Sequence, residues 1–210
     1  MTEHELPLAS ALALQLIEAG LIQFGRFTHP DGSVWPVQVR LHWLPSYPAL
    51  LRELVTALVP MLDGLTVDRL LTTPTAVPLG TALSLQTGLP MTYAVSTTHD
   101  QGAAFAIEGA YDVGHPTLLL TDVLADAAQA QQLSVLARRV GLNVKAVLAA
   151  FDLGIGARER LEIAGYPVLR LMALPDLLDL FADRGIITGP LRAAIRRWQA
   201  TPPALAQSSD

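Results

Sequence analysis

The chain contains no cysteine, which excludes disulfides, thiolate metal sites and cysteine nucleophiles. Lysine is nearly absent too: Lys145 is the only one, and every other fixed cation is an arginine. Any chemistry that needs a lysine amine therefore has a single candidate. Charged residues make up only 16% of the 210 residues, against 51% hydrophobic, yet no uncharged apolar run reaches membrane-spanning length. The longest apolar stretch, 133–151, is broken by Arg138, Arg139 and Lys145, which argues against a membrane span. Basic residues are also missing from the first positions, where Glu3, His4 and Glu5 stand. A signal peptide is not expected there, and the reading is a cytoplasmic protein. The net charge of −5 argues against nonspecific nucleic-acid binding. The five histidines are scattered without ligand spacing, so no metal site is expected.

What remains is a chain long enough for one domain with a substantial core. Residues 8–19 carry apolar side chains at helical spacing and stop at Gly20, a C-terminal helix signal. Residues 21–26 and 34–41 alternate as short strands around His29-Pro30-Asp31-Gly32, a turn sequence. Ser46 is the expected N-cap of a helix over 47–62. From residue 69 onward the pattern alternates. Strands are predicted at 69–73, 91–95, 105–107, 117–121, 144–151 and 168–171. Helices are predicted at 79–87, 127–140, 158–164, 175–184 and 190–198. This alternation predicts an α/β fold with a parallel sheet covered by helices on both faces. Residues 201–210 read as a disordered tail.

The centre of the pattern is Thr117-Leu118-Leu119-Leu120-Thr121-Asp122-Val123, with a helix expected from Ala127 and Asp126 as its cap. In a parallel sheet such a strand-to-helix turn is the usual place for an anion, because helix N–H groups and the helix dipole point at it.

Four further segments complete the motif set: Phe24-Gly25-Arg26-Phe27-Thr28, Pro74-Thr75-Ala76 with Pro78-Leu79-Gly80-Thr81-Ala82-Leu83-Ser84, Ile107-Glu108-Gly109, and Gly165-Tyr166-Pro167-Val168. Their order and spacing resemble orotate phosphoribosyltransferases over roughly residues 16–180. The resemblance implies a type I phosphoribosyltransferase fold, with a five-stranded parallel sheet flanked by helices and a small hood. It divides the chain into a hood segment (1–45), an α/β core (46–172), C-terminal helices (173–200) and the tail. It also implies a homodimer.

Position by position, the resemblance implies a degenerate site. The family's central strand ends in two acidic residues; here the pair is Thr121-Asp122. The loop that holds the 5-phosphate of phosphoribosyl pyrophosphate (PRPP) is Thr-Thr-Gly-Gly-Ser-like in the family, and here Ala125-Asp126-Ala127-Ala128-Gln129. Without glycine the backbone loses close approach and easy positive φ. An N-cap Asp126 competes with a phosphate for helix N–H groups and repels its charge, by one to a few kcal/mol at about 4 Å. The catalytic loop, basic in the family, aligns with residues 95–102, where His99 is the one partial cation. Pro30 replaces a lysine in the N-terminal turn, and Leu153 replaces an orotate-binding arginine.

The candidate ligand positions are therefore Thr121, Asp122, Asp126, Gln129, Thr73 and Thr75, with His99, Arg26 and Arg158 on the loop and substrate sides. No catalytic residue is assigned. Asp126 reads as an N-cap before a ligand contact, and His99 as a solvated loop residue before a base. Asp122 remains open to a ribose hydroxyl or a cation. The leading reading is a catalytically lapsed family member that binds an unknown small ligand or a protein partner, with no cofactor. The alternative is an active PRPP- and Mg²⁺-dependent transferase in which Arg26, Arg40 and Arg158 replace the missing lysines. A third is a different activity in the old cleft, for example on an uncharged nucleoside.

Overall fold

The computed structural model describes residues 7–29, 32–99 and 102–201, with side chains for all of these except 98, 99 and 102–104. Pro30 and residues 202–210 of the tail lie outside the described residues.

Helix α1 (Leu8–Glu18) leads into an antiparallel hairpin of β1 (Ile22–Thr28) and β2 (Val34–Val39), with a bulge between Phe24 and Phe27. A 3-10 helix (Leu41–Ser46) then passes to α2 (Pro48–Leu58), followed by a second 3-10 turn (Val59–Leu62). The residue at the N-cap of α2 is Tyr47, without a side-chain cap, and not Ser46. Pro48 sets the start instead, because its missing N–H costs nothing at the first helical position.

The core strands and helices follow as β3 (Arg69–Thr72), α3 (Val77–Thr87), β4 (Met91–His99), β5 (Gly102–Glu108), β6 (Pro116–Leu124), α4 (Ala127–Arg139), β7 (Asn143–Asp152), α5 (Ala157–Ile163), β8 (Val168–Ala173), α6 (Leu174–Asp183) and α7 (Gly189–Ala200). They form one sheet in the order β5-β4-β3-β6-β7-β8. Five strands run parallel and β5 runs antiparallel to β4. The sheet therefore has six strands, one more than expected. The extra strand is β5, which contains the stretch expected as a strand at 105–107 and reaches back to Gly102, the end of the segment aligned with the flexible loop. Val95, Thr97 and Thr98 are β-branched and continue β4, and β5 pairs back along it from Glu108 to Gly102.

Side-chain alternation along β6 divides the core in two. Leu118 and Leu120 join a large cluster with Leu12 and Leu16 of α1, Leu54 of α2, Leu83 of α3 and Phe181 of α6. Leu119 faces the other way, onto Leu133 of α4 and Leu161 of α5. The N-terminal hairpin belongs to the first cluster. Phe24 meets Phe181 edge-on at 5.6 Å, and Trp35 lies between His29 at 4.2 Å and Trp198 of α7 at 5.4 Å. These aromatic contacts fasten the hood strands to the C-terminal helices. No described helix is long and apolar enough to cross a membrane.

Gly80 shows why α3 lies so close to β3. A Cβ there would stand 2.2 Å from Thr72 Cγ2 and 2.9 Å from Met91 Sδ. Only glycine lets the helix backbone approach the sheet this closely.

Candidate ligand cleft

Two strand ends build the site at the carboxyl edge of the sheet. After β3 the chain turns through Thr73 into a 3-10 turn (Pro74–Ala76) and then α3. The Thr73 N–H donates to Leu120 O at 3.0 Å, which holds this turn against the end of β6. Beside it, β6 runs out through Ala125 and Asp126 into α4.

Asp122 shares the face of Leu118 and Leu120 by strand alternation, which turns it toward the hood side. It is 4% exposed, and its Oδ1 accepts a hydrogen bond from Thr75 Oγ1 at 2.7 Å. Burial pushes the carboxyl above its usual range, partly offset by the Thr75 hydroxyl, backbone hydrogen bonds and the His42 ring. His42, on the 3-10 helix after the hood, is the contributor that sequence reasoning missed. No spacing pattern singles it out, because its relation to Asp122 is made by folding alone.

Thr121 faces the opposite way and lines a cavity of about 220 Å³ with Thr73, Val123, Ala125, Asp126 and Gln129. The cavity occupies the place expected for the 5-phosphate. Its polar groups are two hydroxyls, a carboxamide and a carboxylate, with no cation among the lining residues. Thr121 Oγ1 donates back to Val123 O at 3.2 Å. Thr73 Oγ1 is buried without a partner among the described residues.

Asp126 is the N-cap of α4, with extended backbone (φ −133°, ψ 143°), and its Oδ1 accepts from the Ala128 N–H at 3.1 Å. The same oxygen lies 3.7 Å from Arg160 Nη2. A helix N–H that could face an anion is thus already bonded to an internal one.

The remaining candidates are not gathered here. Arg158 Nε donates to Glu162 Oε1 at 2.8 Å along the exposed face of α5. Arg40 donates to Gln38 and Gln23 and stacks 4.6 Å over the Trp43 ring. Arg26 is exposed on β1. Lys145 stands near the start of β7, at the opposite edge of the sheet. The His99 side chain lies outside the described residues. Leu153 is buried in the core. Next to it, Asp152 accepts from Arg170 Nη1 at 3.1 Å and from the Gly154 N–H at 2.8 Å. That carboxylate is fully engaged in holding β7 against β8.

For Mg²⁺, which PRPP chemistry implies, this turn offers one carboxylate, Asp122, to a cation that commonly takes one or two carboxylates and its other ligands from phosphates and water. That carboxylate is buried and accepts the Thr75 hydroxyl, and burial raises its carboxyl above the usual range. Among the described residues no group of three or more His, Asp or Glu side chains could hold a metal ion.

Comparison with known proteins gives the relationship. No protein-family model matches the chain. The orotate phosphoribosyltransferase of Methanoculleus marisnigri is 30% identical over 178 residues, covering 82% of this chain and 99% of that protein. The bifunctional enzyme PyrF/PyrE of a Nostoc species is 25% identical over 177 residues, covering 84% of this chain but 37% of its own length. Among solved structures, Leishmania donovani UMP synthase superposes with a TM-score of 0.81 at 26% identity, over 91% of this chain and 42% of the other. The chain thus spans 37% and 42% of the PyrF/PyrE enzyme and the UMP synthase, and nearly all of the Methanoculleus protein. By sequence and by fold, it belongs to the orotate phosphoribosyltransferase family.

Proposed function

We propose that this chain uses the orotate phosphoribosyltransferase scaffold to bind a small ligand, as a cytoplasmic homodimer in a regulatory or partner-binding role, without transferring phosphoribosyl groups. One observation carries the reading. At the turn where the family's phosphate loop is expected, Asp126 caps α4 and bonds the Ala128 N–H, in a loop with no glycine and no hydroxyl. Transfer from PRPP needs the departing pyrophosphate to be stabilised by positive charge. Loss of a single such donor typically costs about 10²–10³ in rate, and no cation lines this cavity.

A second reading is an active PRPP- and Mg²⁺-dependent transferase with a divergent site. The names of the relatives favour it, since they are orotate phosphoribosyltransferases and enzymes that include that activity. The comparisons support this reading more than the first, which rests on the chemistry of the loop alone. An assay of orotate consumption with PRPP and Mg²⁺ separates the two. The proposal expects no turnover above background at any concentration of protein. Saturable turnover abolished by Asp122→Ala would establish the transferase.

A further inference from the structure

At the amino edge of the sheet, opposite the cleft, an arginine is buried without a carboxylate partner. Arg69, the first residue of β3, is 7% exposed. Its Nη1 donates to the Ala110 carbonyl. Its Nε is buried with no partner, and no described carboxylate lies within ion-pair distance of it. Arginine stays protonated in any protein environment. A buried guanidinium answered by a single carbonyl is an incompletely satisfied charge, and such groups are rare unless something else completes them.

The topology explains how the surroundings arise. Because β5 runs antiparallel, it delivers its last residue, Glu108, to the edge where the parallel strands begin. Gly109 then turns with φ +114°, its Cα side packed against Met91 O and Thr92 Cα, where a Cβ would stand only 3.3 Å from each. This fixes the path of the 109–112 segment over the start of β3. The result is a cavity of about 400 Å³ lined by Arg69, Glu108, Gly109, Ala110, Tyr111 and Asp112. One wall holds a cation short of partners. The rim holds two exposed carboxylates, Glu108 and Asp112.

We infer that this cavity is a second binding site, for a small zwitterion: a carboxylate directed at Arg69 and an ammonium group at Glu108 and Asp112. A carboxylate matches the planar guanidinium and supplies the counter-charge that one carbonyl does not, through the outer N–H groups of Arg69, while the buried Nε stays sealed from the cavity. The two acids disfavour a multiply charged anion such as a phosphate ester, because each adds like-charge repulsion. They select instead for a ligand that also carries a cation. The site is independent of the cleft reading, since it shares no residue with it.

The test is calorimetric titration of the full chain with ω-amino acids of increasing spacer length (glycine, β-alanine, 4-aminobutanoate, 6-aminohexanoate), beside acetate and inorganic phosphate. At least one member of the series binds, more tightly than acetate, while phosphate does not. Arg69→Met weakens that ligand and acetate by about tenfold or more, the worth of one charged hydrogen bond. The pair Glu108→Gln and Asp112→Asn, both at exposed positions that folding tolerates, weakens the amino acid by a similar factor and leaves acetate unchanged or tighter. Absence of binding by the whole series at about 10 mM, the weak end of small-ligand affinity, would overturn the inference and leave Arg69 as a clamp on the Ala110 carbonyl. If Arg69→Met does not fold, an unchanged affinity in the Glu108→Gln/Asp112→Asn protein overturns it as well.

Discussion

Replacing Asp126 tests the loop chemistry at its centre. Asp126→Ala removes the acceptor of the Ala128 N–H, worth about 1 kcal/mol for an N-cap. It also removes a negative charge from a helix N-terminus, worth about 0.3–1 kcal/mol. The Arg160 contact at 3.7 Å joins two partly exposed side chains and adds a few tenths at most. The total, about 1–2 kcal/mol, corresponds to a fall in Tm of about 2–8 °C for a domain of this size. Asp126→Asn keeps an acceptor oxygen and loses only the charge, so its fall is smaller, about 1–4 °C. Both variants gain anion affinity, and Asp126→Ala gains the more because it also frees the Ala128 N–H. With repulsion of about 1–4 kcal/mol at 4 Å removed, Asp126→Asn binds inorganic phosphate at least about fivefold more tightly than the parent. Differential scanning fluorimetry and phosphate titration of the three proteins read both effects. Equal Tm values, or unchanged phosphate affinity in Asp126→Asn, would refute the claim that this side chain occupies the anion site.

Asp122 sets a pH dependence. Its carboxyl titrates above the ordinary 3.8 in the folded chain, so its stabilising contribution is complete below that value and is lost as pH rises through the folded pKa. Asp122→Asn, which keeps an acceptor for Thr75, is therefore more stable than the parent at pH 7 and converges with it near pH 4 in thermal melts. Destabilisation at pH 7 would mean that the charge is used by His42. Gly80→Ala forces a Cβ into Thr72 and Met91 and costs about 1–3 kcal/mol by overpacking, measured by urea denaturation; a neutral result would show that α3 can withdraw from the sheet. Arg170→Ala strands the buried Asp152 carboxylate and costs about 3–5 kcal/mol, read in the same way; a loss under 1 kcal/mol would show that the Gly154 N–H suffices.

Most of the fold was legible because each core element carries its own pattern. The run Leu118-Leu119-Leu120 is buried on both sides, as a central parallel strand must be, and Asp126 stands where a cap is needed. Strands at 91–95 and 105–107 were read, but their extension to His99 and Gly102 and their antiparallel pairing were not, because alignment with a flexible loop outweighed the β-branched Val95, Thr97 and Thr98. The helix start at Tyr47 was misplaced because Ser46 is the stronger capping type, yet Pro48 decided the boundary. At the cleft, the residue types were readable but the partners were not. Thr75 and Asp122 are separated by 47 positions, and only the packing of two strand ends brings them together. Nothing in the sequence marks Arg69 as buried, and its burial goes with the return path of β5.

The central claim is that the family's phosphate site is closed to PRPP in this chain. Isothermal titration with PRPP and Mg²⁺ measures it directly. The account predicts no heat of binding at millimolar PRPP and no thermal shift. Micromolar binding would contradict it and establish the transferase reading as the one to pursue.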